Sequence, residues 1–315
     1  MGQGETVGVS VFSKIAPILA AKPELKPYPN WVYGLQTSVY YTSKATTVQK
    51  IRRLIWEKSS TPFVITWLSG IKLIIFPRDE TCKEIYFAGM VEPDEFLFLE
   101  RVLKPCMTFV DIGANLGTYS LFAATKVGKQ GRVISIEPSS REFERLKANC
   151  SLNGLGNVTL LKMGVSDRST SDALKVAKDD HAGHNTLGSF VYPHSTKLEC
   201  EETIKLETID SILESLNLPH VDLIKIDIEG AEEKAFHGAK KTLSGLRPVI
   251  LFECQELTLA LQGASSARIL EFLRSFDYQI YSFGDDGGVL PLESVPSPSI
   301  DLVAIPKGSE SSWIS

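Results

Sequence analysis

Apolar runs and amphipathic stretches alternate through the middle of the chain, from residue 108 to residue 305. Uncharged runs such as residues 133–136 predict strands buried on both faces, and the stretches between them have the periodicity of helices. This alternation predicts a parallel sheet with helices on both faces. The predicted strands are 108–112, 132–136, 157–164, 221–227, 248–253, 279–283 and 302–305, and the predicted helices are 117–127, 139–152, 231–243 and 265–276.

A shorter segment of mixed pattern precedes the alternation. Residues 46–58 predict an amphipathic helix, and residues 63–67 and 71–76 predict the two strands of a β-hairpin. Residues 92–103 predict another helix, with a proline in its first turn. The apolar positions assigned to the buried stripe of the first helix are Val48, Ile51, Leu54 and Ile55.

The first 45 residues give the weakest pattern. Three X-Pro pairs between Lys22 and Pro29 prevent a long helix there. Two interpretations stay open: an arm packed on the domain, which we favour, or part of a substrate lid or a dimer contact. The aromatic residues of this arm are Trp31, Tyr33, Tyr40 and Tyr41.

One strand–turn–helix unit carries the first candidate chemistry. Its strand ends near Asp111, the chain turns at Gly113, and Gly117 opens the next helix. Glycine lets the backbone approach a ligand closely, and the helix N-terminus offers free N–H groups. Asn115 stands where a dinucleotide fingerprint has its middle glycine. The carboxylate of Asp111 would repel a phosphate, so the unit points to S-adenosylmethionine rather than to NAD.

A second acidic residue supports the same cofactor. Glu137 closes the strand 132–136, where an acid is placed to accept hydrogen bonds from both hydroxyls of a ribose. The two features in this order predict a nucleoside site. An NAD-dependent oxidoreductase remains a rival interpretation, which the missing glycine disfavours.

Composition and charge narrow the class of protein. The 315 residues are 43% hydrophobic and 23% charged, which is ordinary for a globular protein. The net charge of −5 argues against a nucleic-acid-binding surface as the main function. Five scattered cysteines without a C-x-x-C pair predict reduced thiols in a cytoplasmic protein. No apolar run predicts a transmembrane segment.

Several motifs together resemble those of the FkbM-type S-adenosylmethionine-dependent methyltransferases. The resemblance covers about the middle two-thirds of the chain, and it is specific for the family rather than for a substrate. Cys106 stands where such proteins usually have glycine. The matching stretches are DIGANLG at 111–117, VISIEP at 133–138, NCSLNGLGN at 149–157, KIDIEGAE at 225–232 and RPVILFE at 247–253.

The resemblance implies an α/β class I methyltransferase fold, a doubly wound, Rossmann-like and mainly parallel sheet of seven strands whose last strand is antiparallel. We expect an N-terminal α+β extension over residues 1–90, a methyltransferase domain over 91–307 and a flexible tail over 308–315. The resemblance also implies that Ser166 and Asp167, after the third strand, hold the adenine ring. The predicted residues for binding S-adenosylmethionine are Asp111, Gly113, Asn115, Gly117, Glu137, Ser166, Asp167 and Asp227.

Two acids end the fourth strand and are candidates for chemistry. Asp227 and Glu229 are two positions apart and face one side, where either could contact the methionyl ammonium or the acceptor hydroxyl. Such a pair could instead hold Mg²⁺. No Asp-Asn pair follows them, so we expect no metal.

The alternation stops between Ser169 and Glu202, which predicts a long functional loop. His184 is the first candidate for the base, because histidine titrates near neutral pH. The rival interpretation is a hydrogen-bonded loop histidine. His181 precedes it by three positions and suggests a metal pair only weakly, because no third ligand is evident, so no zinc site is expected.

The predicted function is S-adenosylmethionine-dependent O-methylation of a hydroxyl on a sugar, glycolipid or polyketide-like small molecule of secondary metabolism. The alternative is a non-catalytic S-adenosylmethionine-binding regulatory or scaffold protein. A hydroxylated acceptor and a second copy of the chain are the expected partners, with no nucleic acid. The predicted catalytic residues are His184, Asp227 and Glu229.

Overall fold

Three β-sheets and ten α-helices occur in the part of the chain that this computed structural model describes, residues 11–23, 45–284, 287–293 and 300–314. The strands are β1 (Phe63–Thr66), β2 (Lys72–Ile75), β3 (Thr108–Ile112), β4 (Arg132–Ile136), β5 (Val158–Leu161), β6 (Gly164–Val165), β7 (Thr170–Ala177), β8 (Leu198–Glu207), β9 (Leu223–Ile226), β10 (Val249–Cys254), β11 (Tyr278–Phe283), β12 (Val289–Pro291) and β13 (Ile300–Pro306). The helices are α1 (Val11–Leu19), α2 (Thr47–Lys58), α3 (Glu80–Ala88), α4 (Pro93–Val102), α5 (Thr118–Val127), α6 (Ser140–Leu152), α7 (Ile209–Ser215), α8 (Glu232–His237), α9 (Glu256–Leu261) and α10 (Ser266–Ser275).

The central sheet has the strand order β12-β11-β13-β10-β9-β3-β4-β5. The strands from β10 to β5 are parallel, and β13 runs antiparallel to both of its neighbours. This confirms the predicted doubly wound, mainly parallel sheet whose last strand is antiparallel. The short edge strand β12 was not predicted, and it makes eight strands instead of seven among the described residues.

Both faces of the central sheet are covered by apolar clusters. Alternate residues of one strand point to opposite faces, so Phe109 belongs to one cluster and Val110 to the other. The first cluster includes residues of α5 and the N-terminal elements, and the second includes residues of α7, α8 and α10. The carboxyl ends of the parallel strands therefore share one edge, where the turns that follow them meet.

Some predicted boundaries of strands and helices were wrong. The predicted strand 157–164 ends at Leu161, and β6 pairs with β8 in a separate sheet. The predicted helix 231–243 ends at His237, and a π-helical turn follows at Thr242–Leu246. Helices α1, α3, α7 and α9 were not predicted, since helices of six to nine residues are too short to establish a clear period.

The predicted loop between Ser169 and Glu202 is largely a β-hairpin. Strands β7 and β8 pair antiparallel, and a 3₁₀ helix, Asp179–His184, lies between them. The hydrophobic pattern did not indicate these strands, because most of their residues are exposed. A small cluster of their apolar side chains faces the main domain: Leu174, Val176, Ile204 and Leu206.

The N-terminal hairpin β1–β2 and helix α2 are confirmed, although the buried stripe of α2 differs from the prediction. Ile55 and Trp56 are buried, whereas Val48, Ile51 and Leu54 are exposed. The aromatic arm at Trp31, Tyr33, Tyr40 and Tyr41 lies outside the described residues.

The predicted division at residue 90 and the predicted flexibility of the tail 308–315 both stay predictions. One hydrophobic cluster contains residues from both sides of that division. Near the C-terminus, Trp313 packs against this same cluster. Among the described residues, none of the helices combines the length and the apolar character needed to cross a membrane.

Candidate functional site

The glycine turn after β3 lies against the ends of β4 and β9. The N–H groups of Gly113 and Ala114 both donate to the carbonyl oxygen of Ile136, at 2.9 and 3.0 Å. Gly113 has a φ of +83°, and a Cβ there would lie 1.8 Å from the carbonyl oxygen of Asp227. Only glycine fits this position. The turn is therefore fixed where three strand ends meet.

Glu137 closes β4 beside this turn, and its side chain is almost fully buried. One carboxylate oxygen, Oε2, accepts the N–H of Asn115 at 2.9 Å, and Oε1 accepts the N–H of Ser139 at 2.9 Å. Burial raises the pKa of Glu137 to about 8, and the nearby Glu142 carboxylate adds to the rise. Each oxygen still has a lone pair that can accept a ligand hydroxyl.

Asn115 offers a further unsatisfied group at the same turn. Its backbone has a φ of 48°, in the left-handed region. Its buried Oδ1 has no hydrogen-bond partner within the described part of the chain. A buried acceptor without a donor is costly, so a ligand donor would relieve it. Asn115 and Glu137 together fit the hydroxyl and ammonium donors of the predicted S-adenosylmethionine.

A cavity of about 230 Å³ lies at this edge of the sheet. The ends of β3, β4, β9 and β10 form one side of it. Residues of the segment 169–202, called the insert from here on, form another. Of the charged residues that the structure describes, six acids and one lysine line it: Glu92, Glu137, Glu142, Asp227, Glu229, Glu253 and Lys225. Such a cluster of carboxylates favours a cationic ligand, because the acids would otherwise repel one another.

The predicted cofactor residues at the first turn fall into two groups. Asp111 does not line the cavity; it is fully buried and accepts the hydroxyl of Ser120 at 2.5 Å. Gly117 packs on Leu146, whose Cδ1 would lie 2.7 Å from a Cβ at this glycine. These two residues therefore contribute to the structure of the turn and not to the cavity wall. The predicted residues that do line the cavity are Gly113, Asn115, Glu137 and Asp227.

Ser166 and Asp167, the predicted adenine contacts, also lie outside the lining. Ser166 is buried and donates its hydroxyl to the exposed Asp167 at 3.2 Å. The three residues before them, Met163, Gly164 and Val165, line the cavity instead. The offset arises because the chain leaves the central sheet earlier than predicted, at the end of β5.

Lys225 is the cationic group of the cavity. Its Nζ lies 2.8 Å from Oδ2 of Asp227 and 4.3 Å from the ring centroid of Tyr119. As predicted, Lys225 and Asp227 face the same side of β9. Burial opposes the charge of Lys225, but the carboxylates of Asp227 and Asp111 raise its pKa above the usual range. Lys225 therefore stays protonated and neutralises part of the acidic cluster.

A group of acids from distant segments completes this cluster. The hydroxyl of Tyr119 is hydrogen-bonded to both Glu92 and Glu95, at the start of α4; it donates its one proton to one carboxyl group and accepts from the other. Burial raises the pKa of Glu95 well above its usual value, and it raises the pKa of Asp301, on β13, to about 8. The sequence did not connect these acids to the site, because each lies far in the chain from the glycine turn.

Glu229 lies in the turn after β9 and lines the cavity. Its φ is 53°, and its carbonyl oxygen accepts the hydroxyl of Thr186 and the side-chain amide of Gln262, both at 3.3 Å. Burial raises the pKa of Glu229 to about 8, and the adjacent Asp227 carboxylate adds to the rise. The turn is thus tied to the insert, with a carboxyl group facing the cavity.

His184 lies behind Glu229, outside the cavity lining, although its neighbours Gly183 and Asn185 belong to that lining. Its Nδ1 is 4.0 Å from Oε1 of Glu229, and its Nε2 is 3.7 Å from Oε2 of Glu80. Interaction with the Glu80 carboxylate raises the pKa of His184. Glu80 is on the unpredicted helix α3, so the sequence could not show that an acid joins the two histidines of the insert.

The fold and the site together define the class of protein. They are those of a class I S-adenosylmethionine-dependent methyltransferase. The features are a doubly wound sheet, a glycine turn after β3, an acid that closes β4 and an acid-lined cavity. The family model described as the methyltransferase FkbM domain matches residues 111–280. The chain belongs to the FkbM methyltransferase family.

Individual relatives match parts of the chain. The hexuronic acid methyltransferase AglP of Haloferax volcanii is 30% identical over 176 residues, which cover 54% of this chain and 68% of AglP. The methyltransferase sdnD of Sordaria araneosa is 26% identical over 155 residues, 41% of this chain and 59% of sdnD. The solved structure of methyltransferase FkbM from Methylobacillus flagellatus KT is 20% identical with a TM-score of 0.42, covering 70% of this chain and 49% of that one.

Proposed function

We propose that this methyltransferase acts on oxygen and methylates a hydroxyl group of a sugar, glycolipid or polyketide-like small molecule. The relative AglP is named a hexuronic acid methyltransferase, which supports a sugar acceptor, although the sugar in that name carries a carboxyl group. The acid-lined cavity is the observation that carries the choice of a hydroxyl. Six acidic residues and one lysine line it among the described residues, so it offers little positive charge to an anionic acceptor and suits a neutral one better.

The chain's own residues provide for the two ligands separately. The glycine turn, Asn115 and Glu137 would hold the nucleoside part of S-adenosylmethionine, and Asp227 with its neighbouring acids would face the cationic part. When bound, this cofactor supplies a methyl group activated by a positively charged sulfonium. The protein must then hold the acceptor oxygen in line with that methyl group and accept the hydroxyl proton.

We propose Glu229, in its ionised form, as the group that takes this proton. Because its pKa is raised to about 8, this form becomes more populated as pH rises towards 8. It lines the cavity, whereas His184, the base predicted from the sequence, does not. His184 Nδ1 is 4.0 Å from the carboxylate of Glu229, too far for a hydrogen bond, so we assign His184 as a positioning residue that acts on Glu229 through its charge. Asp227 is engaged by Lys225 and is assigned to the cofactor.

The type of acceptor can be tested with radiolabelled S-adenosylmethionine and a matched pair of sugars, a neutral hexoside and the corresponding hexuronic acid. We expect label to enter the neutral hexoside and to survive mild alkali, because methyl ethers resist hydrolysis. Label that enters only the hexuronic acid and is released by alkali would identify a methyl ester instead. No transfer to a broad panel of hydroxylated acceptors, despite cofactor binding, would favour the non-catalytic alternative.

Cofactor binding is expected to depend on Glu137. Replacing Glu137 by alanine removes charge-assisted bonds worth about 1.5–3 kcal/mol each, so the loss of one corresponds to about 10–150-fold weaker binding. Calorimetric titration with S-adenosylhomocysteine measures the effect. Glu201→Ala, an exposed acid on β8, is the control and should bind normally. Wild-type affinity in folded Glu137→Ala would remove Glu137 from the cofactor site.

The setting of the enzyme is also a proposal. All five cysteines are unpaired, which fits a reducing compartment, so we place the protein in the cytoplasm. The acidic net charge supports a small-molecule acceptor rather than a nucleic acid. The homodimer remains a prediction, which measurement of the mass in solution would test.

A further inference from the structure

We propose that Glu80, His181 and His184 form a binding site for one divalent transition-metal ion, best matched by zinc. The ligand atoms are a carboxylate oxygen of Glu80 and one ring nitrogen from each histidine, and all lie within 4.8 Å of one another. Two imidazoles and one carboxylate are a common ligand set for zinc and other first-row metals. The site is separate from the acids that end β9.

The distances between these atoms suit coordination better than hydrogen bonding. Oε2 of Glu80 lies 3.5 Å from Nδ1 of His181 and 3.7 Å from Nε2 of His184. Hydrogen bonds of this type are normally 2.7–3.2 Å long. Ligand atoms about 2.0–2.1 Å from a tetrahedral zinc ion are themselves about 3.3 Å apart. The two separations that involve Glu80 need to close by only a few tenths of an ångström, and the two ring nitrogens lie within 4.8 Å of each other.

His181 supplies a second, independent observation. Its Nδ1 is buried, and within the described ranges of the chain it makes no hydrogen bond. The rings of His181 and His184 lie beside each other, with centroids 5.6 Å apart. A buried ring nitrogen without a partner loses the hydrogen bond that water would give it. A metal ion shared with Glu80 would satisfy it.

Arg145 holds the two ligand-bearing segments together through two ion pairs, of which the one to Asp79 is buried. Arg145 of α6 places Nη1 2.8 Å from Asp79, the residue before Glu80, and Nη2 2.8 Å from Asp179, at the start of the 3₁₀ helix. The carboxylate of Asp79 also caps α3 by accepting the N–H of Cys82 at 2.8 Å. The ligand set is therefore positioned by neighbours that are fixed without a metal.

An acid also lies near the ring nitrogen of His184 that a metal ion would leave free. Coordination through Nε2 leaves Nδ1 of His184 as a donor, and this nitrogen faces Glu229 at 4.0 Å. The 3₁₀ helix that carries both histidines also provides Ala182 and Gly183 to the cavity wall. A bound ion would thus fasten the insert to α3 and fix one wall of the cavity.

The test uses the full chain, freed of any polyhistidine tag, treated with a chelator and dialysed. Titration with zinc chloride in a calorimeter should show one ion bound per chain and should raise the melting temperature. Glu80→Gln and His181→Ala should each weaken binding by at least about 100-fold, since even partners outside the coordination sphere commonly contribute 10–100-fold. Glu80→Gln preserves size and guards against misfolding.

His194→Ala is the matched control, because His194 is an exposed histidine of the same insert. It should bind zinc as the wild type does. The proposal would be overturned by a wild-type protein that takes up no zinc at micromolar concentrations. Unchanged affinity in folded Glu80→Gln and His181→Ala would also overturn it, because the ion would then be bound elsewhere.

Discussion

Replacing Glu229 by glutamine is expected to lower kcat for methyl transfer to a neutral hydroxylated acceptor by about 10²–10⁴-fold. The acceptor hydroxyl must lose its proton as its oxygen attacks, and an amide cannot accept that proton. Glutamine keeps the size of the side chain and leaves the carbonyl bonds of residue 229 to Thr186 and Gln262 in place. Affinity for S-adenosylhomocysteine should change little, which steady-state kinetics and calorimetry together would measure.

The comparison variants separate this assignment from the base predicted from sequence. Glu201→Gln, on the exposed face of β8, should retain the wild-type rate. His184→Ala should lower kcat by a smaller factor than Glu229→Gln, because His184 acts through Glu229. The reverse ranking, with Glu229→Gln fully active and His184→Ala reduced by 10²–10⁴-fold, would make His184 the base after all.

Replacing Lys225 by methionine is expected to destabilise the protein by about 3–5 kcal/mol at neutral pH, measured by urea unfolding. Methionine has a similar size, so packing is largely kept, but the buried positive charge is lost. Asp227 loses a partner at 2.8 Å, and the buried Asp111 and Glu95 lose a neighbouring cation. Uncompensated acids in a buried cluster then oppose folding.

The loss of stability caused by Lys225→Met should also increase with pH. Acids whose pKa is raised on folding bind protons more tightly in the native state, so they support folding at low pH and oppose it as pH rises. The window for Asp301 runs from about 4, its unfolded pKa, to about 8 in the folded protein. Without Lys225 these pKa values should rise further, so the difference between variant and wild type should be smaller at pH 5 than at pH 8.

Lys205→Met provides the matched control for this experiment. Lys205 forms an exposed ion pair with Glu207 at 2.9 Å, and exposed pairs contribute little to stability. Its replacement should leave the unfolding midpoint almost unchanged at both pH values. Equal effects of the Lys205 and Lys225 substitutions, or a Lys225→Met difference that shrinks as pH rises, would contradict the role given to the buried cation.

The central sheet and its glycine turn could be predicted because they depend on local pattern. Each buried strand needs an apolar run, and each run ends at a turn on the same edge of the sheet. Gly113 was evident from the strand–turn–helix pattern, although the contact that requires glycine there is with the distant Asp227, and the two-residue period of a strand placed Lys225 and Asp227 together. The position of Glu137 beside the glycine turn could be predicted, because this residue directly follows β4.

The acids from distant segments, Glu92, Glu95 and Asp301, and the cluster of Glu80 with His181 and His184 could not be predicted, because long-range contacts create them. Glu80 precedes His181 by about a hundred residues, and its short helix α3 had no clear period. Asp301 reaches the site only because β13 inserts between β10 and β11. Strands β7 and β8 could not be predicted for a different reason. They have few buried positions, so their sequence lacks an alternation of apolar and polar residues.

The first hydrophobic cluster has a consequence for chimeric enzymes. It joins Trp67, next to the N-terminal hairpin, to Phe96 of α4 through ring centroids 5.4 Å apart, and Phe96 in turn contacts Phe122 of α5 at 5.2 Å. A crossover at residue 90 between two members of the family would therefore cut through one packed core. Segments exchanged there would have to bring matching aromatic surfaces, so the hairpin and the cofactor-binding sheet are expected to be inherited together.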